Sequence, residues 1–358
     1  MPATQPEVTV HVIIPARNEE DCLGRCLNSL VGQKGIDFRI TVVDDGSTDR
    51  TRAIAGGFPE VQVLSAEEPP PGVMGKCNAL ITGASGSTAK WLLFTDADTF
   101  HYPGSLAAAV REAEERGVDL LSYSPEQEVR SFAERILMPL VFADLVRTYP
   151  PERVNDPQDP TVAANGQYIL VRRSVYEELG EHQCVADKLL EDVELARNFK
   201  VNSYRIWFRF GGGLVRTRMY RTFAAMWEGW TKNLVVLFRH PLWLAAWRSV
   251  EFVVIALPLA IAVLGSAKDN AFAGGVGLAV TVFFYSILFA RLRKAHFRWS
   301  ANLLAFLGLP LYVSLLVRSY IHSHRRGAVT WKGRTYRPSA PQRAADSSTQ
   351  KEQSDLKS

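Results

Sequence analysis

The sequence has few cysteines, and their spacing matches no metal-binding or redox pattern. Only Cys22, Cys26, Cys77 and Cys184 occur among 358 residues, without a CxxC pair and without a zinc-type cluster with histidine. This spacing predicts no disulfide framework and no structural zinc site. The four residues are expected to be reduced thiols of a cytosolic domain.

Other signals are also missing. No basic segment followed by an apolar stretch opens the chain, so no signal peptide is expected and the first domain should stay in the cytosol. The GxxxxGK[ST] motif of nucleoside triphosphatases is absent, because Cys77 follows Lys76. The glycines at 211–213 follow a predicted strand and should turn the chain into the next one. A net charge of +4 is too small to indicate a nucleic-acid partner.

Long apolar runs are confined to one part of the chain. Residues 1–233 read like a soluble domain, although 47% of the whole sequence is hydrophobic. Three runs follow, at 249–267, 271–290 and 299–317. Each is long enough to cross a hydrocarbon core of about 30 Å. The alternative is a soluble bundle of buried helices.

The charges between these runs predict a topology. The loop at 291–299 is basic and should face the cytosol, so the first two runs would cross out and back. Pro310 lies within the third run, which either crosses the membrane or re-enters it.

Strands and helices alternate in the first hundred residues, which predicts an α/β domain with a parallel sheet. Ligands of such sheets bind at the carboxyl ends of the strands. Four acids are expected at that edge: Asp44, Asp45, Asp96 and Asp98. They suit Mg²⁺ or Mn²⁺ held together with phosphate oxygens, or the hydroxyls of a ribose. Alternatively, they only begin turns or cap helices.

Two further positions have competing interpretations. Glu191 and Asp192 begin an expected helix, where one of them could act as a general base or both could be solvated surface. Lys76 near a helix start could contact a diphosphate or be an ordinary surface lysine.

Six segments occur in a characteristic order: VIIPARNEE, VVDDGSTDRT, GKCNAL, FTDAD, ANGQYILVRR and LLEDVELA. Over about residues 8–235 the chain thereby resembles the inverting family 2 glycosyltransferases. The apolar region and the segment VTWKGRTY are similar to the membrane-attached branch with ceramide-glucosyltransferase-like and hopanoid-associated enzymes. The resemblance implies a GT-A (Rossmann-like) nucleotide-sugar domain followed by interfacial helices and a small transmembrane helical region.

The resemblance also implies roles for single residues. Contacts to the donor are assigned to Pro15, Arg17, Glu19, Asp45, Lys76 and Asp96. Asp98 would be the main ligand of Mn²⁺ or Mg²⁺, and Asp192 the general base. Possible contacts to the acceptor or the membrane interface are assigned to Glu191, Trp227, Trp230 and Lys232.

The sequence departs from the family at one motif. Many lipid-using and polymer-forming members carry [QR]xxRW after the base, whereas here Met226 and Gly229 stand at the polar and arginine positions before Trp230. Arg218, Arg221 or Lys232 could supply the missing charge. The tryptophans are expected to anchor an interfacial helix.

The expected organisation has four parts: a cytosolic glycosyltransferase domain at 1–220, interfacial helices at 221–247, a transmembrane region at 248–320, and a basic segment with a disordered tail at 321–358. The predicted activity is transfer of one sugar, from a UDP-sugar by expectation, to a lipid hydroxyl at the cytosolic face of the cell membrane. Alternatives are a processive polysaccharide synthase and a catalytically silent, membrane-anchored nucleotide-sugar-binding protein.

Overall fold

The computed structural model describes residues 8–326, 329–331 and 334–336. The tail predicted to be disordered from Pro338 lies outside these residues. The strands are β1 Val10–Ala16, β2 Phe38–Asp44, β3 Val61–Ser65, β4 Trp91–Phe94, β5 Thr99–His101, β6 Leu120–Ser124, β7 Glu126–Gln127, β8 Ile169–Arg172, β9 Ile206–Phe210, β10 Val215–Thr217, β11 Val329–Trp331 and β12 Arg334–Tyr336. The helices are α1 Leu23–Val31, α2 Thr51–Gly56, α3 Gly75–Ala84, α4 Ser105–Arg116, α5 Phe132–Thr148, α6 Pro151–Val154, α7 Arg173–Glu178, α8 Glu191–Val201, α9 Phe223–Leu237, α10 Pro241–Ala267, α11 Ala271–Arg293, α12 Trp299–Leu304 and α13 Leu309–Arg326, with 3₁₀ turns at Glu181–Val185 and Ala305–Gly308.

The main sheet has the strand order β3-β2-β1-β4-β8-β6-β9. The predicted parallel pairing holds for β1 to β4, where helices connect successive strands. It does not extend to β8, which is antiparallel to both β4 and β6. The loop before β8, rather than a crossover helix packed on the sheet, leads the chain into this strand, so the rule for βαβ units does not apply. The sheet is therefore mixed.

The central strands are buried on both faces. Val10, Val12 and Ile14 of β1 point to a core shared with α1 and α4, whereas Ile13 points to a core shared with α3, α7 and α8. This alternation follows from the period of two residues in a strand. Helices covering both faces leave the carboxyl ends of β1, β2 and β4 as the open edge.

A second sheet, with the order β5-β10-β7, lies beside that edge. The predicted glycine turn is confirmed, since Gly211, Gly212 and Gly213 carry the chain from β9 in the first sheet to β10 in the second. Gly213 has φ +77°, a left-handed conformation that favours glycine. A Cβ on Gly211 would lie 2.8 Å from the Cβ of Tyr123. The turn thereby brings Thr217 to the edge of the main sheet.

The last third of the described chain is helical. By length and composition alone, three segments could cross a membrane: Pro241–Ala267, Ala271–Arg293 and Trp299–His324. The third is interrupted, because α12 ends at Leu304 and a 3₁₀ turn at Ala305–Gly308 precedes α13. α5, within the predicted cytosolic domain, shares its apolar core with these helices and with α9.

α10 and α11 pack closely through small residues. A Cβ on Gly277 would lie 2.7 Å from the backbone nitrogen of Ala262, and one on Gly265 would lie 2.6 Å from that of Gly274. Small residues allow such backbone contact between membrane helices. Beyond α11 the chain returns to the α/β domain, where His296 stacks on Phe210 with ring centroids 4.1 Å apart.

Candidate active site

Carboxylates from two strands meet at the open edge of the main sheet. The ends of β1 and β2 are in register, and the backbone nitrogen of Asp45 donates to the carbonyl of Ala16 at 2.9 Å. β4 pairs with the other side of β1, and the nitrogen of Thr95 donates to the carbonyl of Ile13 at 3.2 Å. The chain therefore presents Asp44 and Asp45 on one side of β1, and the segment from Asp96 to Asp98 on the other.

Lys76 connects this edge to the start of α8. Its ammonium lies 2.9 Å from a carboxylate oxygen of Asp96 and 3.0 Å from one of Glu191. Burial raises the pKa of Glu191, but the charge of Lys76 more than offsets this and leaves the pKa below its ordinary value. Lys76 is thus not an ordinary surface lysine, because it joins two carboxylates from different elements.

Asp192 is held in place by backbone hydrogen bonds. The N–H groups of Gly166 and Val193 each donate to one of its carboxylate oxygens at 2.8 Å. Burial raises the pKa of Asp192 to about 6, and the negative charge of Glu191 contributes to this shift. At neutral pH this carboxylate is ionised and a stronger base than an ordinary aspartate, which suits a general base.

Asp98 lies against the second sheet, where the Thr217 hydroxyl donates to its backbone carbonyl at 3.3 Å. The side-chain nitrogen of Gln167 is 3.4 Å from a carboxylate oxygen of Asp98 and donates to the Thr217 hydroxyl at 3.1 Å. Burial, reinforced by the charge of Asp96, raises the pKa of Asp98 to about 7. Gln167 lies in a segment that the sequence identified without assigning it a role. Thr217 carried no signal in the sequence.

The carboxylate oxygens at this edge supply part of the ligand shell that a divalent cation needs. Asp96 and Asp98 offer hard oxygen ligands of the kind that such a cation prefers. Within residues 8–326, no group of three or more histidine, cysteine, aspartate or glutamate side chains is arranged to hold a metal. Further ligands would come from phosphate oxygens and water, as is common for Mg²⁺.

The residues assigned to the nucleotide end also lie at this edge. A guanidinium nitrogen of Arg17 donates to the backbone carbonyl of Asp45 at 2.6 Å and lies 3.9 Å from its carboxylate. Glu19 accepts a hydrogen bond from the Cys22 thiol at 3.0 Å, and Pro15 lies in β1 opposite Val43. Burial raises the pKa of the Cys22 thiol, so this cysteine stays protonated.

The altered tryptophan motif has a packing explanation. Trp230 is only 2% exposed, with Phe142 and Tyr220 against its ring at centroid distances of 6.2 and 5.8 Å. Trp230 is therefore buried inside the protein and does not anchor the helix at the membrane interface as predicted. Gly229 faces Tyr220 so closely that a Cβ there would collide with the tyrosine ring. An arginine at 229 is therefore incompatible with this arrangement.

Lys232 and Trp227 occupy different environments on α9. Burial lowers the pKa of Lys232, and the nearby charge of Glu191 opposes that shift. The charges of Glu191 and Asp192 thus act on Lys232, whose assignment to the acceptor region stays a prediction. Trp227 packs against Phe223, with ring centroids 5.7 Å apart, and lies under the guanidinium of Arg318.

An α/β domain with acidic strand ends, a bridging lysine and an aspartate oriented by backbone N–H groups is the arrangement expected of a GT-A glycosyltransferase. Comparison with known proteins agrees, because residues 11–180 match the family described as Glycosyl transferase family 2. The chain therefore carries a family 2 glycosyltransferase domain and is a glycosyltransferase, as the sequence predicted.

Relatives extend the similarity beyond this domain. The 4,4'-diaponeurosporenoate glycosyltransferase of Staphylococcus aureus strain MRSA252 is 28% identical over 345 residues, covering 91% of this chain and 87% of that protein. The corresponding protein of strain USA300 is 26% identical over 344 residues, with the same coverage. The mannosyltransferase PcManGT of Pyrobaculum calidifontis, solved with GDP-Man and Mn²⁺, has a TM-score of 0.50 at 18% identity and covers 89% of this chain and 88% of its own. That structure supports the fold.

Proposed function

We propose that this enzyme transfers a single sugar from a nucleotide-sugar to a hydroxyl group of a membrane lipid at the cytosolic face of the membrane. The observation that carries the proposal is the pairing of Lys76 with Asp96 and Glu191, which brings the segments of Asp98 and Asp192 into one site. The chain also contains helices that are long and apolar enough to cross a membrane. The acceptor named for the Staphylococcus aureus relatives supports a lipid, since the similarity includes the helical region. A UDP-sugar is the expected donor.

The residues of the site suggest how the transfer proceeds. Asp192 takes the proton of the attacking hydroxyl, while the N–H groups of Gly166 and Val193 keep its oxygens oriented. The acceptor oxygen bonds to the anomeric carbon as the bond to the diphosphate breaks, which inverts the configuration. Lys76 lies beside the departing diphosphate. A divalent cation held by Asp98, with Asp96, would neutralise charge on the leaving nucleoside diphosphate.

The proposed membrane arrangement has two crossings and a re-entrant segment. α10 and α11 cross out and back, since the loop after α11 contacts the α/β domain through His296 and Phe210. The segment from α12 to α13 enters and returns on the same side. Support comes from the break at Ala305–Gly308 and from α13, where the Ser319 hydroxyl accepts from the nitrogen of Val235 in α9 at 2.9 Å.

The test is release of nucleoside diphosphate by the full-length protein in detergent. Reactions contain Mn²⁺ or Mg²⁺, a panel of UDP- and GDP-sugars, and total lipid extract. We expect lipid-dependent release with one donor. Asp98→Ala and Asp192→Asn should each lower the rate by about 10²–10⁴-fold, the usual contribution of such groups. Arg135→Gln, an exposed arginine on α5, is the control that should retain the parent rate.

Other outcomes would replace the proposal. A long polymer as the product would identify a processive synthase. Nucleotide-sugar binding that survives Asp192→Asn, with no turnover by the parent protein, would identify a catalytically silent binding protein.

A further inference from the structure

A second, strongly basic cavity lies next to Asp98. It has a volume of about 60 Å³ and is lined by Arg25, Arg130, Arg218 and Arg221 together with Cys22 and Asp98. One water needs only about 15 Å³ of such space, so the cavity has room for a small ionic group. The four arginines come from α1, from the segment before α5 and from the segment before α9. Three separate parts of the chain therefore direct guanidinium groups to one place.

The arginines exceed the carboxylates available to neutralise them. Glu128 is shared by Arg25 at 3.3 Å and Arg130 at 2.5 Å, and Glu134 pairs with Arg218 at 2.8 Å. Within the part of the chain that the structure describes, Arg221 has no carboxylate within ion-pair distance. Four positive charges thus face two negative ones, apart from Asp98. Guanidinium groups in this excess suit a carboxylate or phosphate, which they can bind through paired hydrogen bonds.

The same three-residue pattern begins both helices at this cavity. Arg130 precedes Ser131, which caps α5, and Arg221 precedes Thr222, which caps α9. In each case an exposed phenylalanine follows the cap: Phe132 is 59% exposed, and Phe223 is 51% exposed.

Two effects of this pattern favour an amphiphile. The positive ends of two long helices add to the charge of the arginines. Phe132 and Phe223, each two residues after one of these arginines in the chain, expose apolar rings. An acidic group with an attached apolar chain matches both features, whereas a soluble anion matches only the first.

We propose that this arginine cavity binds an acidic group carried by the lipid acceptor, a carboxylate or a phosphate ester. The inference rests on the proposed function and names the class of its acceptor. The acidic group would hold the lipid beside Asp98 while its chain lies over Phe132 and Phe223 toward α5 and α9. Gly166 and Gln167, which contact Asp192 and Asp98 respectively, connect this cavity to the base.

The donor diphosphate is the competing occupant. Lys76 already supplies positive charge to the donor edge, on the side of Asp96 and Glu191, and it does not line the arginine cavity. A diphosphate that links a sugar to a nucleoside also carries no apolar chain that could contact Phe132 and Phe223. If the acidic lipid occupies the cavity, the KM for the acceptor depends on the arginines. If the diphosphate occupies it, the KM for the donor depends on them.

The experiment separates the lipid extract by anion exchange into neutral and acidic fractions and measures nucleoside diphosphate release with each. We expect acceptor activity in the acidic fraction. Arg130→Gln and Arg221→Gln should each raise the acceptor KM about tenfold and leave the donor KM within twofold. Arg135→Gln again serves as the control, because it is exposed on α5 outside the cavity. Hexadecanoate and hexadecyl phosphate should compete with the acceptor, and hexadecanol should not; the more potent of the two acids identifies the acidic group.

The outcomes distinguish this inference from the proposed function. Release that depends on lipid but resides in the neutral fraction, or KM values for the acceptor unchanged in both variants, would overturn the inference alone. A rise in donor KM instead would assign the cavity to the diphosphate and likewise overturn it. Absence of lipid-dependent release with every fraction would overturn the proposed function and the inference with it. Unchanged melting temperatures would show that both variants fold.

Discussion

Gly166 separates the two charged groups on which the chemistry depends. A Cβ at this position would lie 3.0 Å from the ammonium of Lys76 and 3.4 Å from a carboxylate oxygen of Asp192, so Lys76 would shift by a few tenths of an ångström and its position relative to Asp192 would change. Because small misplacements of catalytic groups are costly, Gly166→Ala should lower kcat about tenfold. The melting temperature should stay constant, since the flexible lysine can move.

Gly56→Ala is the matched control, because a Cβ there meets no atom within 4 Å and the site is remote. Equal kcat values for Gly166→Ala and the parent would mean that Lys76 and Asp192 need not keep this spacing.

The pH dependence of the reaction follows from the environment of Asp192. Its pKa is raised to about 6, and a general base must be ionised, so kcat should fall as the pH drops through about 6. Glu191 contributes to the raised value. In Glu191→Gln the acid limb should therefore move to lower pH, even if the maximal rate is reduced. A midpoint that stays in place or moves upward at saturating metal and donor would contradict Asp192 as the titrating base.

At the scale of helices, a buried ion network ties α5 to α10 and α11. Asp144 accepts from Arg248 at 3.1 Å and from Arg291 at 2.8 Å, and Glu251 pairs with both arginines. Asp144 and Arg248 are only 2% and 1% exposed. Removing one partner of a buried pair leaves an uncompensated charge at a cost of about 3–5 kcal/mol.

Arg248→Met should therefore lower the thermal unfolding midpoint in detergent sharply, and Asp144→Leu in the same chain should restore part of the loss. Arg50→Gln, which breaks the exposed pair with Glu20, should change the midpoint little. If Arg248→Met lowered the unfolding midpoint as little as Arg50→Gln, the ion network would not hold α5 to α10 and α11.

The elements show where sequence patterns suffice and where they do not. β1 to β4 follow the local alternation of strands and helices, so their order and the acidic edge could be predicted. The direction of β8 could not, because it depends on the path of a loop rather than on any pattern within the strand. The 3₁₀ turn at Ala305–Gly308 lies inside an uninterrupted apolar run. Gly308 there meets the backbone of Ile136 in α5 so closely that a Cβ would collide with it. Such a close approach is decided by the packing of distant residues.

The same contrast holds for the site. Asp96, Asp98 and Asp192 belong to short motifs and could be assigned roles, which remain predictions. The arginine cavity combines arginines up to 196 positions apart in the chain, from Arg25 to Arg221, so no local pattern identifies it. Trp230 was assigned to the interface from its residue type, whereas the tertiary packing against Phe142 and Tyr220 places it inside.

At the scale of the whole molecule, the catalytic domain and the helical region are not separated at a single point in the chain. α5 lies within the predicted cytosolic domain, yet Leu137, Leu140 and Val141 pack in the same apolar core as α9, α10, α11 and α13. The catalytic domain therefore meets the helical region over an apolar interface as well as through the ion network. We expect the two regions to act as one body on the membrane surface.

The re-entrant arrangement places α13 and the catalytic domain on the same side of the membrane, and cysteine labelling tests this. Cys184 is exposed, whereas Cys22, Cys26 and Cys77 are buried, so the native chain carries its own reporter for the side on which the catalytic domain lies. Lys268→Cys marks the turn between α10 and α11, and Ser323→Cys marks the exposed end of α13.

An impermeant maleimide should label Lys268→Cys in intact cells, because the proposed arrangement puts that turn across the membrane from the catalytic domain. Cys184 and Ser323→Cys should react only after lysis. Labelling of Ser323→Cys in intact cells, with Cys184 protected, would mean that the third segment crosses the membrane. In that case α13 could not keep the hydrogen bond between Ser319 and Val235 of α9, and the packing of α9 beside the active site would need a different support.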